Sequence, residues 1–108
     1  MKRYGSVTRV LPEKLDRYVQ LHANPWPAVA ARITDCNIQN YSIFLKTMPD
    51  GQHYLFSYFE YVGDDFEADM AHMAADADTQ RWWAECKPCL EAIEELPPGE
   101  VWAPMQSV

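Results

Sequence analysis

Residues 38–62 read IQNYSIFLKTMPDGQHYLFSYFEYV, and the period of this stretch decides the fold. Tyr41, Ile43 and Leu45 alternate with Asn40, Ser42 and Phe44, so apolar side chains stand on both parities, as in a strand covered on both faces. Met48-Pro49-Asp50-Gly51 then breaks the run: proline presets φ and glycine accepts positive φ, the chemistry of a tight turn. From Gln52 to Val62 a second run is rich in aromatic residues: Tyr54, Phe56, Tyr58, Phe59 and Tyr61. Two such runs across a short Gly-containing turn make a β-hairpin.

Upstream, Arg3 to Val10 (RYGSVTRV) reads as a further strand ending at Leu11-Pro12. Pro12 suits the first turn of a helix, where its missing N–H is no loss, and Glu13 sits favourably near the positive end of the helix dipole. Leu15, Tyr18, Val19 and His22 follow at helical spacing and are expected on one face. Asn24-Pro25-Trp26-Pro27 interrupts this helix, which is expected to resume through about Ile33. Downstream, Asp64 and Asp65 precede Phe66, Met70 and Met73 at helical spacing, and Asp78 is expected to cap a helix carrying Trp82 and Trp83. Leu96-Pro97-Pro98-Gly99 makes a rigid turn, with a short strand expected at Glu100 to Ala103.

The resulting order, β-α-β-β-α-β, is that of an α+β, ferredoxin-like domain with helices on one side of an antiparallel sheet. At 108 residues it is one domain, residues 1–108, too small to cover both faces of its own sheet. The other face is expected to meet a second copy, giving a homodimer.

Hydrophobic content of 48% with 13% aromatic residues describes a globular chain, and no apolar run is long enough to span a bilayer. The net charge of −7 repels phosphate backbones, which argues against a nucleic-acid partner and leaves a small neutral ligand easier to accommodate. Residues 1–10 contain basic side chains without a following apolar segment, so no signal peptide is read and a cytoplasmic location is expected. Three cysteines, an odd number, fit a reducing compartment better than a disulfide framework.

Cys86-Lys87-Pro88-Cys89 has the spacing of a thioredoxin-type motif. That chemistry needs the first thiol at a helix N-terminus after a strand; here a helical pattern precedes it, so the pair reads as thiols at a helix end. Cys36, Cys86 and Cys89 with His22, His53 or His72 supply zinc-ligand types, but without a second close pair at finger spacing, so no metal is expected.

Tyr18 and His22 lie one turn apart on a helix that breaks immediately afterwards. Neighbouring helix positions point about 100° apart, so Trp82 and Trp83 cannot both fill one core stripe. With Trp26 and Tyr41 they offer flat apolar surfaces suited to the weakly polar face of a sugar, while phenols and amides meet its hydroxyls.

His22 with Trp26-Pro27, Asn40-Tyr41-Ser42-Ile43, Leu55 to Glu60 (LFSYFE) and Gln80-Arg81-Trp82-Trp83 resemble the L-rhamnose mutarotase family through most of the chain, the last twenty residues less clearly. The resemblance implies a dimeric ferredoxin-like α/β barrel that interconverts the α and β anomers of a pyranose without cofactor. It implies His22 as proton donor and Tyr18, Tyr41, Trp82 and Trp83 as substrate contacts. Ala28 stands where the family often carries an acidic residue. L-rhamnose, L-fucose or another 6-deoxyhexose remain open as substrates. A heme-degrading or monooxygenase-like enzyme and a non-catalytic sugar-binding module are the alternatives on such a scaffold.

Overall fold

Strand β1 (Lys2–Val10) is central in an antiparallel sheet, flanked on one side by β3 (His53–Tyr61) and, beyond it, β2 (Ile38–Thr47). The computed structural model describes residues 1–108. On the other edge of β1, two short strands share the ladder: β4 (Leu90–Glu91) against Arg9 and Val10, and β5 (Ala103–Met105) against Gly5 to Val7. The order β2-β3-β1-β4 is the ferredoxin-like one. The last strand therefore starts later than expected from sequence, at Ala103 rather than Glu100. Pro97, Pro98 and Gly99 (φ 83°) hold the chain in a turn before it can pair.

Pro12 opens a 3₁₀ turn that runs into α1 (Leu15–Ala23), and Pro27 occupies the first turn of α2 (Pro27–Asp35). Between them Trp26 is extended (φ −75°, ψ 124°), the conformation a following proline imposes. Tyr18 and Leu21 are the buried residues of α1, whereas Val19, expected beside them, is 49% exposed: the buried stripe runs one position over. The carboxylate of Asp65 accepts from the Ala68 N–H and caps α3 (Phe66–Ala74). α4 (Ala77–Cys86) is capped by Asp76, not Asp78, because Asp76 is the last extended residue and its carboxylate reaches both the N–H and hydroxyl of Thr79 (3.0 and 2.9 Å).

All four helices serve the sheet face bearing Thr8, Val10, Leu55 and Tyr61. The buried side chains there divide into two clusters. One gathers Val10, Tyr18, Leu21, Val29, Leu55, Trp82, Cys86, Cys89 and Leu90; the other gathers Cys36, Ile38, Tyr61 and Met73, with Tyr4, Phe59 and Phe66 packed against it. The opposite sheet face carries Val7, Phe44, Phe56 and Tyr58 and no helix. Phe44 is 64% exposed, so the strand expected to be covered on both faces is covered on one within this chain.

Candidate active site

His22 stands at the end of α1, just before the helix breaks, with its Nδ1 3.1 Å from the Tyr18 carbonyl oxygen one turn earlier. A carbonyl only accepts, so Nδ1 carries the proton and donates, leaving the lone pair on Nε2. The imidazole lies over the Tyr18 ring (4.2 Å between centroids, 27°) and meets Trp82 edge-on (5.2 Å, 64°). Trp26, turned back by the proline break, meets Trp82 in the same way (5.2 Å, 69°). The break in the helix is thus what lets a second tryptophan pack on α4.

Burial holds the His22 pKa below the ordinary imidazole value, only partly offset by the hydrogen bond to Tyr18. Burial pushes the Tyr18 phenol far up, with the nearby Tyr41, Cys86 and Cys89 adding to the rise. Near neutral pH the site therefore holds a neutral imidazole, an acceptor at Nε2, beside a phenol that keeps its proton.

Tyr41 enters from the sheet. A bulge between Gln39 and Ser42, with Asn40 at φ 53°, aims it along Phe59, whose ring is parallel at 5.8 Å. The residue is 45% exposed, and burial raises its phenol above the ordinary tyrosine value. The paired tryptophans divide: Trp82 is buried against His22, while Trp83 packs at the margin of both clusters, under the Lys87 ammonium (5.5 Å from its ring centroid). Trp83 also lines an open cavity of about 620 Å³ with Lys87, Pro88 and Gly99. The structure thus gathers Tyr18, His22 and Trp82, brings the Tyr41 phenol close enough to influence Tyr18, and sets Trp83 on the adjoining face of α4.

Cys86 and Cys89 are buried at the end of α4 and in the 3₁₀ turn after it, and burial pushes the Cys86 thiol up to about 12. Such thiols are poor nucleophiles, in keeping with a packing role. Two serines, Ser6 and Ser57, also face inward, without a role assigned to either side chain from the sequence. Their signal was parity: they share the alternation of Thr8 and Val10 on β1 and of Leu55 and Tyr61 on β3.

Fold and site together define a ferredoxin-like α+β enzyme whose imidazole sits among aromatic rings. Residues 3–108 match the family model described as L-rhamnose mutarotase. An L-rhamnose mutarotase of Oceanobacillus iheyensis is 33% identical over 98 residues, covering 91% of this chain and 88% of that protein. The crystal structure of an L-rhamnose mutarotase from Formosa agariphila superposes with a TM-score of 0.74 at 19% identity, covering 100% of this chain and 96% of that one. A putative antibiotic biosynthesis monooxygenase from Caulobacter crescentus gives 0.55 at 12% identity over 98% and 88%, a likeness of fold alone. The chain belongs to the L-rhamnose mutarotase family and, with it, is an isomerase that interconverts sugar anomers.

Proposed function

We propose that this isomerase interconverts α- and β-L-rhamnopyranose and that His22 moves the protons. The observation that carries the assignment is the Nδ1 hydrogen bond to Tyr18, which presents a neutral imidazole as an acceptor at Nε2. Nε2 takes the proton of the anomeric hydroxyl as the C1–O5 bond breaks and C1=O1 forms. The imidazolium then returns that proton to O5, giving the open-chain aldehyde. Rotation about C1–C2 offers the other carbonyl face, and the same steps in reverse close the ring as the opposite anomer. This makes His22 the proton donor at the ring oxygen after it has acted as base. Tyr18 and Tyr41, which keep their protons, donate hydrogen bonds to sugar oxygens; Trp82 and Trp83 supply the apolar walls.

The functional unit in this reading is a homodimer joined through the helix-free sheet face, where Phe44, Phe56 and Val7 would otherwise meet water. No helix is long and apolar enough to cross a membrane. Three free cysteines support a reducing, cytoplasmic setting.

Saturation-transfer NMR between the anomeric resonances of L-rhamnose tests the assignment, with L-fucose run in parallel. The exchange rate should rise in proportion to protein concentration and more steeply for L-rhamnose. Exchange at the solvent rate for L-rhamnose would overturn it.

A further inference from the structure

We propose that Ser57, with Ser6 directly opposite it, forms a hydroxyl-bearing floor that hydrogen-bonds one non-anomeric hydroxyl of the sugar and so helps set which sugar is accepted. The proposal rests on the sugar-mutarotase reading above.

Ser6 and Ser57 are Cα partners on the two central strands, and both lie on the helix-facing side. Across β3, Ser57 also faces Ile43 of β2, which packs against the cluster holding Tyr18 and Trp82. Along β3 its neighbours on the same face are Leu55, a member of that cluster, and Phe59, the residue parallel to Tyr41. The serines thus mark the strip of sheet between the two apolar clusters, framed by residues that lead to His22 on one side and Tyr41 on the other.

A polar group in this strip needs a partner, because a buried hydroxyl without one costs stability. The adjacent hydroxyl on β1 has two: Thr8 donates to the Val101 carbonyl (2.6 Å), with the Glu91 carbonyl at 3.3 Å, and it is fully buried. Ser57 is only 7% exposed, yet no protein group takes up its hydroxyl, nor that of Ser6. No buried side-chain oxygen in the chain is sealed off without a partner, so the Ser57 Oγ touches accessible space. Valine or alanine would fill these inward sheet positions without that burden. A pair of small hydroxyls with both donor and acceptor capacity there fits a polyol, whose own hydroxyls need both.

The test compares Ser57→Ala and Ser6→Ala with the parent on L-rhamnose and on its 2-deoxy, 3-deoxy and 4-deoxy analogues, reading kcat/KM for anomer exchange. Each serine variant is expected to lose about threefold to tenfold on L-rhamnose, the range one neutral hydrogen bond supports. For the one analogue lacking the hydroxyl the serines hold, parent and variant should be equal. Unchanged kcat/KM on L-rhamnose in both variants would overturn the proposal, as would an equal loss on all three analogues, the mark of a general packing defect. A parent inactive on L-rhamnose would sink the L-rhamnose assignment, and the serine floor with it; an active parent with unmoved variants sinks the serine floor alone.

Discussion

His22 donates its Nδ1 proton to the carbonyl of Tyr18, 3.1 Å away and one helical turn earlier, so backbone geometry selects the tautomer of the imidazole. The bond ties the ring to the one helix whose end it occupies, and stacking on Tyr18 fixes its tilt.

Because burial holds the His22 pKa low, kcat/KM should stay level as pH falls to the ordinary imidazole value of about 6.5 and decline only below it. Folding stability follows the same sign: the unfolded chain takes up the proton first, so stability falls as pH drops through about 6.5. His22→Ala should cost about 10² or more in rate, and Tyr18→Phe less, since the stacked ring remains. A pH-rate profile and circular dichroism of both variants check this.

Trp82 and Trp83 should separate under single replacement by Phe. Trp82→Phe shrinks a residue packed against both His22 and Trp26, and should lower thermal stability and exchange rate together. Trp83→Phe should leave stability nearer the parent and show its effect mainly in the fluorescence change on adding sugar. Equal effects from the two replacements would contradict the division the fold makes.

Gly63→Ala should destabilise by about 1 to 3 kcal/mol, the range for forcing an extra carbon into a packed site. A Cβ there would strike the Tyr61 hydroxyl oxygen and fall 2.8 Å from the Asn37 amide nitrogen. Both groups donate to the Asp69 carboxylate, the bond from Asn37 measuring 3.0 Å, so the new methyl strikes a network joining β3, α3 and the turn before β2. Urea titration measures the loss.

Asp76→Ala should lower the denaturation midpoint and Asp76→Asn lower it less, because asparagine still caps α4. The Asp76 pKa is depressed first by its bonds to Thr79 and then by Arg32, whose Nε is 3.3 Å away. Its stabilisation is present above the unfolded value of about 3.9 and is lost as pH falls through the depressed folded value. The gap between parent and Asp76→Ala should therefore narrow in acid, as melting curves at stepped pH would reveal.

Phe44→Glu should convert a dimer to monomer at micromolar concentration. Phe44 faces Phe56 across β2 and β3 on the helix-free side and is 64% exposed within one chain. Sedimentation velocity on both proteins is decisive, and a monomeric parent would remove the dimer from the reading.

The hairpin at 38–62, the proline break after His22 and the acidic start of α3 at Asp65 were legible in the sequence, because each rests on local physics: side-chain period, fixed φ, and a carboxylate at a helix N-terminus. Tyr18 and His22 could be paired for the same reason, being one turn apart. What local rules could not supply was everything decided by non-local contact. The cap of α4 is a local bond from Asp76 to Thr79, but that the same carboxylate also meets Arg32 of α2 depends on how the two helices pack. Val19 is exposed because the packing of α1 on the sheet, not its own periodicity, chose the buried stripe. The last strand waits until Ala103 because only there does the free edge of β1 meet it in register. Which tryptophan touches His22 and where Ser6 meets Ser57 were likewise settled by tertiary structure, since each depends on segments far apart in the chain being brought together by the sheet.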